Sequence, residues 1–100
     1  MAVTCTTLEQ VRENIDRLDR QIVALLAERG SFVSQAARFK KDSDGVKAPQ
    51  RVEQVINKVR ELSHTLGANP NVTEQVYRAM ISAFIQQELA EHAALTQPTT

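Results

Sequence analysis

The sequence has one cysteine, three glycines, three prolines and no surplus of either charge. Cys5 alone can form neither an intrachain disulfide nor a four-ligand metal site. Twelve Lys plus Arg are offset by twelve Asp plus Glu, so no net field draws in nucleic acid or an anionic membrane. Any anion binding must come from a local cluster. No stretch comes near the roughly 20 apolar residues that a membrane helix needs. Met1 to Thr7 has neither a basic start nor a long apolar run, which argues against a signal peptide. A cytoplasmic protein is expected. GxGxxG and GxxxxGKS/T phosphate loops are absent. Ser31, Ser34, Ser63 and Ser82 are scattered hydroxyls without a nucleophile elbow. His64 and His92 fall on different helical segments without ligand spacing and read as surface or capping residues. Neither a metal nor a cofactor is expected.

What is present is helical periodicity. Leu8, Val11, Ile15, Leu18, Ile22, Leu25, Arg29, Phe32, Ala36 and Phe39 recur at alternating spacings of three and four, the repeat of a helix with one buried seam. The pattern predicts a first helix over 8–41, with Thr6 or Thr7 as its cap and Glu9 and Gln10 close behind. At 1.5 Å per residue such a helix is about 50 Å long, more than a small globule covers, so a partner helix from another subunit is expected. Asp44-Gly45 favours a turn, and Pro49 limits Ala48 to extended backbone while suiting a helix's first turn. A second helix is predicted over 49–66, striped by Val52, Val55, Val59, Leu62 and Leu66, with Gly67 placed to end it. A third is predicted over 72–95, with Val76, Tyr77, Met80, Ile81, Phe84, Ile85 and Leu89 as a broad apolar face and Glu88 one turn beyond Phe84. The expectation is an all-α domain over 8–95, a three-helix protomer with a long first helix in an intertwined homodimer, with flexible ends at 1–7 and 96–100.

The polar groups on apolar faces carry the functional signal. Arg29 alone breaks the first seam. Lys40 follows it by 11 residues, almost three full turns, so on one continuous helix the two cations point nearly the same way. Arg12 precedes Arg29 by 17 residues, about 25 Å along a straight helix, and reaches the same small ligand only from an antiparallel partner. Each has a plainer alternative. Arg29 can lay its stem across the seam or pair with Glu28 or Glu88, Arg12 can pair with Asp16, Lys40 can be solvated, and Arg51 can fix the start of the second helix. An inward Glu88 beside cations is either an ion-pair partner or, next to a bound dianion, a protonated donor.

The residues VRENIDRLDRQIVALLAERGSFVSQAARFKK, continued by VKAPQRVEQVINKVREL, resemble the all-helical chorismate mutase family and its relative, the isochorismate pyruvate lyase of salicylate biosynthesis. The resemblance covers about 8–92 and implies an intertwined dimer with two active sites, each using an arginine from the neighbouring subunit. It implies that Arg12 is that donated arginine, that Arg29 binds a substrate carboxylate and that Lys40 reaches the ether oxygen and a carboxylate. Arg51 becomes an organising or peripheral contact. Glu88 stands where many relatives have glutamine, and Ile81 and Ile85 are wall positions. The implied reaction is chorismate to prephenate, on a small dicarboxylate and without metal or cofactor. Two positions depart from many mutases: Val52 follows the helix-two arginine where they have glutamate, and Ala48 replaces a loop acid. APQRV is similar to the lyase branch, whereas the lyase has glutamine at the position of Glu88. A helical dimer that binds a small dianion without catalysis is the third alternative, favoured if Lys40 folds outward.

Overall fold

The computed structural model describes residues 4–96. The expected flexible ends at 1–7 and 96–100 fall largely outside the described residues. Four helices occur in chain order: α1 (Leu8–Ala37), α2 (Ser43–Lys47), α3 (Pro49–Leu66) and α4 (Pro70–Thr96). The all-α, three-helix plan holds, with α2 as a short helical segment between the long ones. None of the helices is long and apolar enough to cross a membrane among the described residues. The chain divides into two compact units, Met1–Phe32 and Val33–Thr100.

The first unit consists mainly of α1. Thr7 Oγ1 accepts the Gln10 backbone N–H at 3.1 Å, while Gln10 Oε1 accepts from the Thr6 backbone N–H at 2.8 Å. The first bond satisfies a donor that the first helical turn leaves open, and the second ties the backbone ahead of the helix to the same residue. The apolar seam has the predicted period but is not buried by this chain: Leu8, Val11, Ile15, Leu18, Ile22 and Leu25 are each 40–63% exposed. A continuous apolar stripe of that size on a helix calls for a cover.

The second unit begins with the last turn of α1. The predicted extension of this helix to Lys41 does not occur. Arg38, Phe39 and Lys40 N–H groups bond to the carbonyls of Gln35, Ala36 and Ala37 at 3.3, 3.0 and 3.4 Å, three-residue bonds that tighten and close the turn. Lys40 is therefore not helical, and the azimuth that aligned it with Arg29 on one helix does not apply. Phe39, expected in the seam, is 86% exposed beyond the helix end.

The Asp44-Gly45 turn is instead the helix α2. Asp42 Oδ1 accepts the Gly45 N–H at 2.9 Å and caps it. Ala48 was expected to be extended before Pro49, yet it is left-handed, with φ 36° and ψ 63°. The reason lies in what this backbone connects. Its N–H donates to the Asp44 carbonyl and closes α2, and its carbonyl accepts the Val52 N–H and opens α3. Gly67 ends α3 as predicted, at φ 78°, and the Ala68 N–H reaches back to the Ser63 carbonyl at 2.8 Å. Asn69 Oδ1 accepts the Asn71 N–H at 2.9 Å, so α4 starts at Pro70, two residues before the predicted start.

α3 and α4 form an antiparallel pair, because Glu53 meets Arg78 while Arg60 meets Glu74. The buried stripe of α3 is Ile56, Val59 and Ser63, one step around from the predicted one. Leu62 and Leu66 are 45% and 76% exposed. Ser63 is accommodated in that stripe by donating to the Val59 carbonyl at 2.8 Å. Arg78 grips Glu53 with two guanidinium bonds, at 3.0 and 2.9 Å, and donates to Glu74 at 2.8 Å. Arg60 adds a 2.7 Å bond to Glu74.

The bonds from Arg78 hold both the Glu53 and Glu74 carboxyls below their ordinary values. Depressed carboxyl values contribute stability that is complete above the unfolded value near 4.5 and is lost as pH falls through the folded values. Arg78→Ala should therefore flatten the decline of Tm below about pH 4.5, which thermal melts over an acid series would measure. The difference should shrink in high salt, because these groups are reached by solvent.

Candidate active site

The site is built on the C-terminal half of α4. Ile81, Ile85, Glu88 and His92 follow at spacings of four, three and four, so they share one helix face. Ile81 is buried and Ile85 half-buried. Glu88, in the same row, is only 3% exposed. A carboxyl so far from water needs a counter-charge or a proton.

Lys40 supplies the counter-charge. Its ammonium lies 2.6 Å from Glu88 Oε2, with 27% of the lysine side chain exposed against 4% of the glutamate's. That oxygen has no properly directed hydrogen-bond donor among the described residues. The ammonium thus neutralises the carboxylate, and the lysine side chain, 27% exposed, keeps further N–H donors available to an oxygen-rich ligand.

Neighbouring bonds fix this pair in place. The His92 Nε2–H donates to the Lys40 carbonyl at 2.8 Å. Ser34, on the last turns of α1, donates through its hydroxyl to Glu91 Oε1 at 3.0 Å, and Gln87 Nε2 donates to the same oxygen at 3.2 Å. Ala37 and Val46, on either side of the Lys40 loop, are 1% and 2% exposed and anchor it in the core. His92 was expected to be a surface or capping histidine. It is half-buried and holds the backbone of a site residue. The available signal was its place one helical turn after Glu88.

Of the residues singled out by sequence, Lys40 and Glu88 are brought into contact, with Ile81 and Ile85 on the same face of α4 as Glu88. Arg12 and Arg29 both belong to α1 in the first unit; Arg12 is exposed and Arg29 half-buried. Since they share one helix, their 17-residue separation stands at about 25 Å. Arg51 is exposed in the first turn of α3, beside a shallow depression lined also by Ala48, Pro49, Gln50 and Gln54. That depression does not include the Lys40–Glu88 pair.

Comparison with known proteins gives this geometry a context. The sequence model of a family described as chorismate mutase type II matches residues 11–89. An isochorismate pyruvate lyase of Pseudomonas aeruginosa is 31% identical over 85 residues, covering 85% of this chain and 84% of that protein. A chorismate mutase of Methanocaldococcus jannaschii is 25% identical over 75 residues, covering 74% of this chain and 76% of that protein.

Proposed function

We propose that this chain, which belongs to the chorismate mutase type II family, converts chorismate to prephenate in a cationic site completed by a second copy of itself. The reaction is an intramolecular rearrangement in which a C–O ether bond breaks as a C–C bond forms. It needs a folded substrate and stabilisation of the oxygen that gains charge. It needs no nucleophile.

The observation that carries this reading is Lys40, turned inward onto the buried Glu88 at 2.6 Å. Lys40 would donate to the ether oxygen as charge develops on it, with Glu88 beside it on the same side of the site. Ile81 and Ile85 crowd the ring toward the reacting geometry. Arg29 binds one carboxylate, and Arg12 of the second copy binds the other, so that unproductive conformers are suppressed. Arg51 serves as a peripheral contact. The exposed seam of α1 supports the second copy, since two such stripes can cover one another. An inward Lys40 weighs against a dianion-binding dimer without catalysis.

A second reading has its own observations. The 31% identical relative is an isochorismate pyruvate lyase, and Val52 in this chain follows Arg51 within APQRV. The same clamp would then support release of pyruvate from isochorismate. Product analysis with purified protein separates the two. Incubation with chorismate should yield prephenate, and incubation with isochorismate should yield salicylate and pyruvate much more slowly. Faster turnover of isochorismate would assign the chain to the lyase reaction, and turnover of neither would remove both readings.

A further inference from the structure

We propose that His92 is a positioning residue for Lys40. It sets the depth to which the lysine reaches into the site, and it does so by fixing the lysine's backbone rather than by touching substrate. The proposal rests on the reading of Lys40 as a donor to the substrate's ether oxygen.

Lys40 occupies an awkward place for a residue with that task. It lies in the non-helical stretch between α1 and α2, after the last tightened turn. Its own N–H bond back to Ala37 is long, at 3.4 Å. A lysine side chain is a flexible four-carbon stem ending in a point charge, so its tip is no better placed than its backbone. The neighbouring Phe39 side chain is 86% exposed and contributes little packing. The buried Ala37 and Val46 anchor the two ends of this stretch, and the backbone at Lys40, between them, needs a restraint of its own to fix the ammonium position.

The restraint comes from α4. His92 lies one turn after Glu88, and its Nε2–H meets the Lys40 carbonyl at 2.8 Å. Glu88 holds the ammonium end of the same residue at 2.6 Å. One helical turn of α4 therefore holds Lys40 at both ends, the carbonyl by position 92 and the ammonium by position 88. When substrate draws the ammonium away from Glu88, the carbonyl bond persists and the lysine pivots from a fixed base. The Ser34–Glu91 bond, at 3.0 Å, holds the end of α1 to the same turn of α4.

Two substitutions separate the donor from the bulk. His92→Phe keeps a planar ring and removes the donor. His92→Gln keeps an N–H at similar reach. A misplacement of about 1 Å at a reacting centre can cost on the order of 100-fold, so His92→Phe should lose about 10- to 100-fold in kcat/KM, and His92→Gln should stay within about threefold of wild type. In a Lys40→Ala background the His92→Phe loss should nearly vanish, because a residue acting only through Lys40 has nothing left to position. Hydrogen exchange should accelerate over residues 38–42 in His92→Phe while residues 49–66 keep their protection. A full His92→Phe loss persisting in the Lys40→Ala background would overturn the proposal, as would unchanged exchange over 38–42 or an equal loss in His92→Gln. A wild-type chain inactive on both chorismate and isochorismate would instead overturn the functional reading on which the proposal rests. An active wild type with an unimpaired His92→Phe would overturn the positioning role alone.

Discussion

Chains carrying Arg12→Ala and chains carrying Arg29→Ala, each nearly inactive alone, should regain about a quarter of wild-type activity when mixed in equal amounts and allowed to exchange subunits. The number follows from symmetry. In the proposed twofold dimer each site would take Arg29 from one copy and Arg12 from the other. A heterodimer of the two variants then has one site with both arginines and one with neither. Random exchange makes about half of the dimers mixed, and half of the sites in these are intact. Removing one partner from a desolvated charge-assisted pair costs about 2–5 kcal/mol, so each variant alone should lose roughly 30- to 4,000-fold in kcat/KM. The separation of the two arginines along α1 leaves little room for an arrangement within one chain, and the apolar seam of α1, exposed at Leu8 through Leu25, supplies a surface for pairing. Native mass spectrometry would establish that heterodimers form. Mixed dimers without any recovered activity would rule out the shared site, and a monomeric wild type that turns over substrate would do so more directly.

The parts of this fold that depend on neighbours in sequence were the legible ones. The Thr7–Gln10 cap, the Gly67 stop and the helical periods are each set by residues within one or two turns. The 3-4 rhythm of α1 also identified which face would need a cover, although periodicity cannot say which molecule provides it. What escaped the sequence depends on competition between local rules. The proline rule for Ala48 is outweighed by two helix caps that meet on one residue. Lys40 continues the spacing of Arg29, but the chain leaves the helix at Ala37, before that spacing takes effect. The Lys40–Glu88 contact survives the correction because it is made by a loop packed against α4, a placement no single-helix period describes. For His92 the sequence shows its place one turn after Glu88 but not its partner, a backbone carbonyl 52 residues away.

Lys40→Ala should lower kcat by about 100- to 1,000-fold, the usual loss when one donor to developing oxyanion charge is removed. It should also lower Tm, because Glu88, only 3% exposed, loses its neighbouring cation. Breaking a buried pair from one side costs about 3–5 kcal/mol. The two effects can be separated. Lys40→Met combined with Glu88→Leu removes both charges at once and should restore most of the lost stability without restoring turnover, since an apolar pair needs no compensation. Glu88→Gln provides the complementary result. A glutamine is a neutral donor at every pH, so this variant should keep substantial activity. A Glu88→Gln enzyme as inactive as Lys40→Ala would show that a neutral donor cannot take the place of the glutamate. A Lys40→Ala enzyme with kcat within about threefold of wild type would place the stabilisation of the ether oxygen elsewhere, and the inward turn of Lys40 would then be a structural ion pair and nothing more.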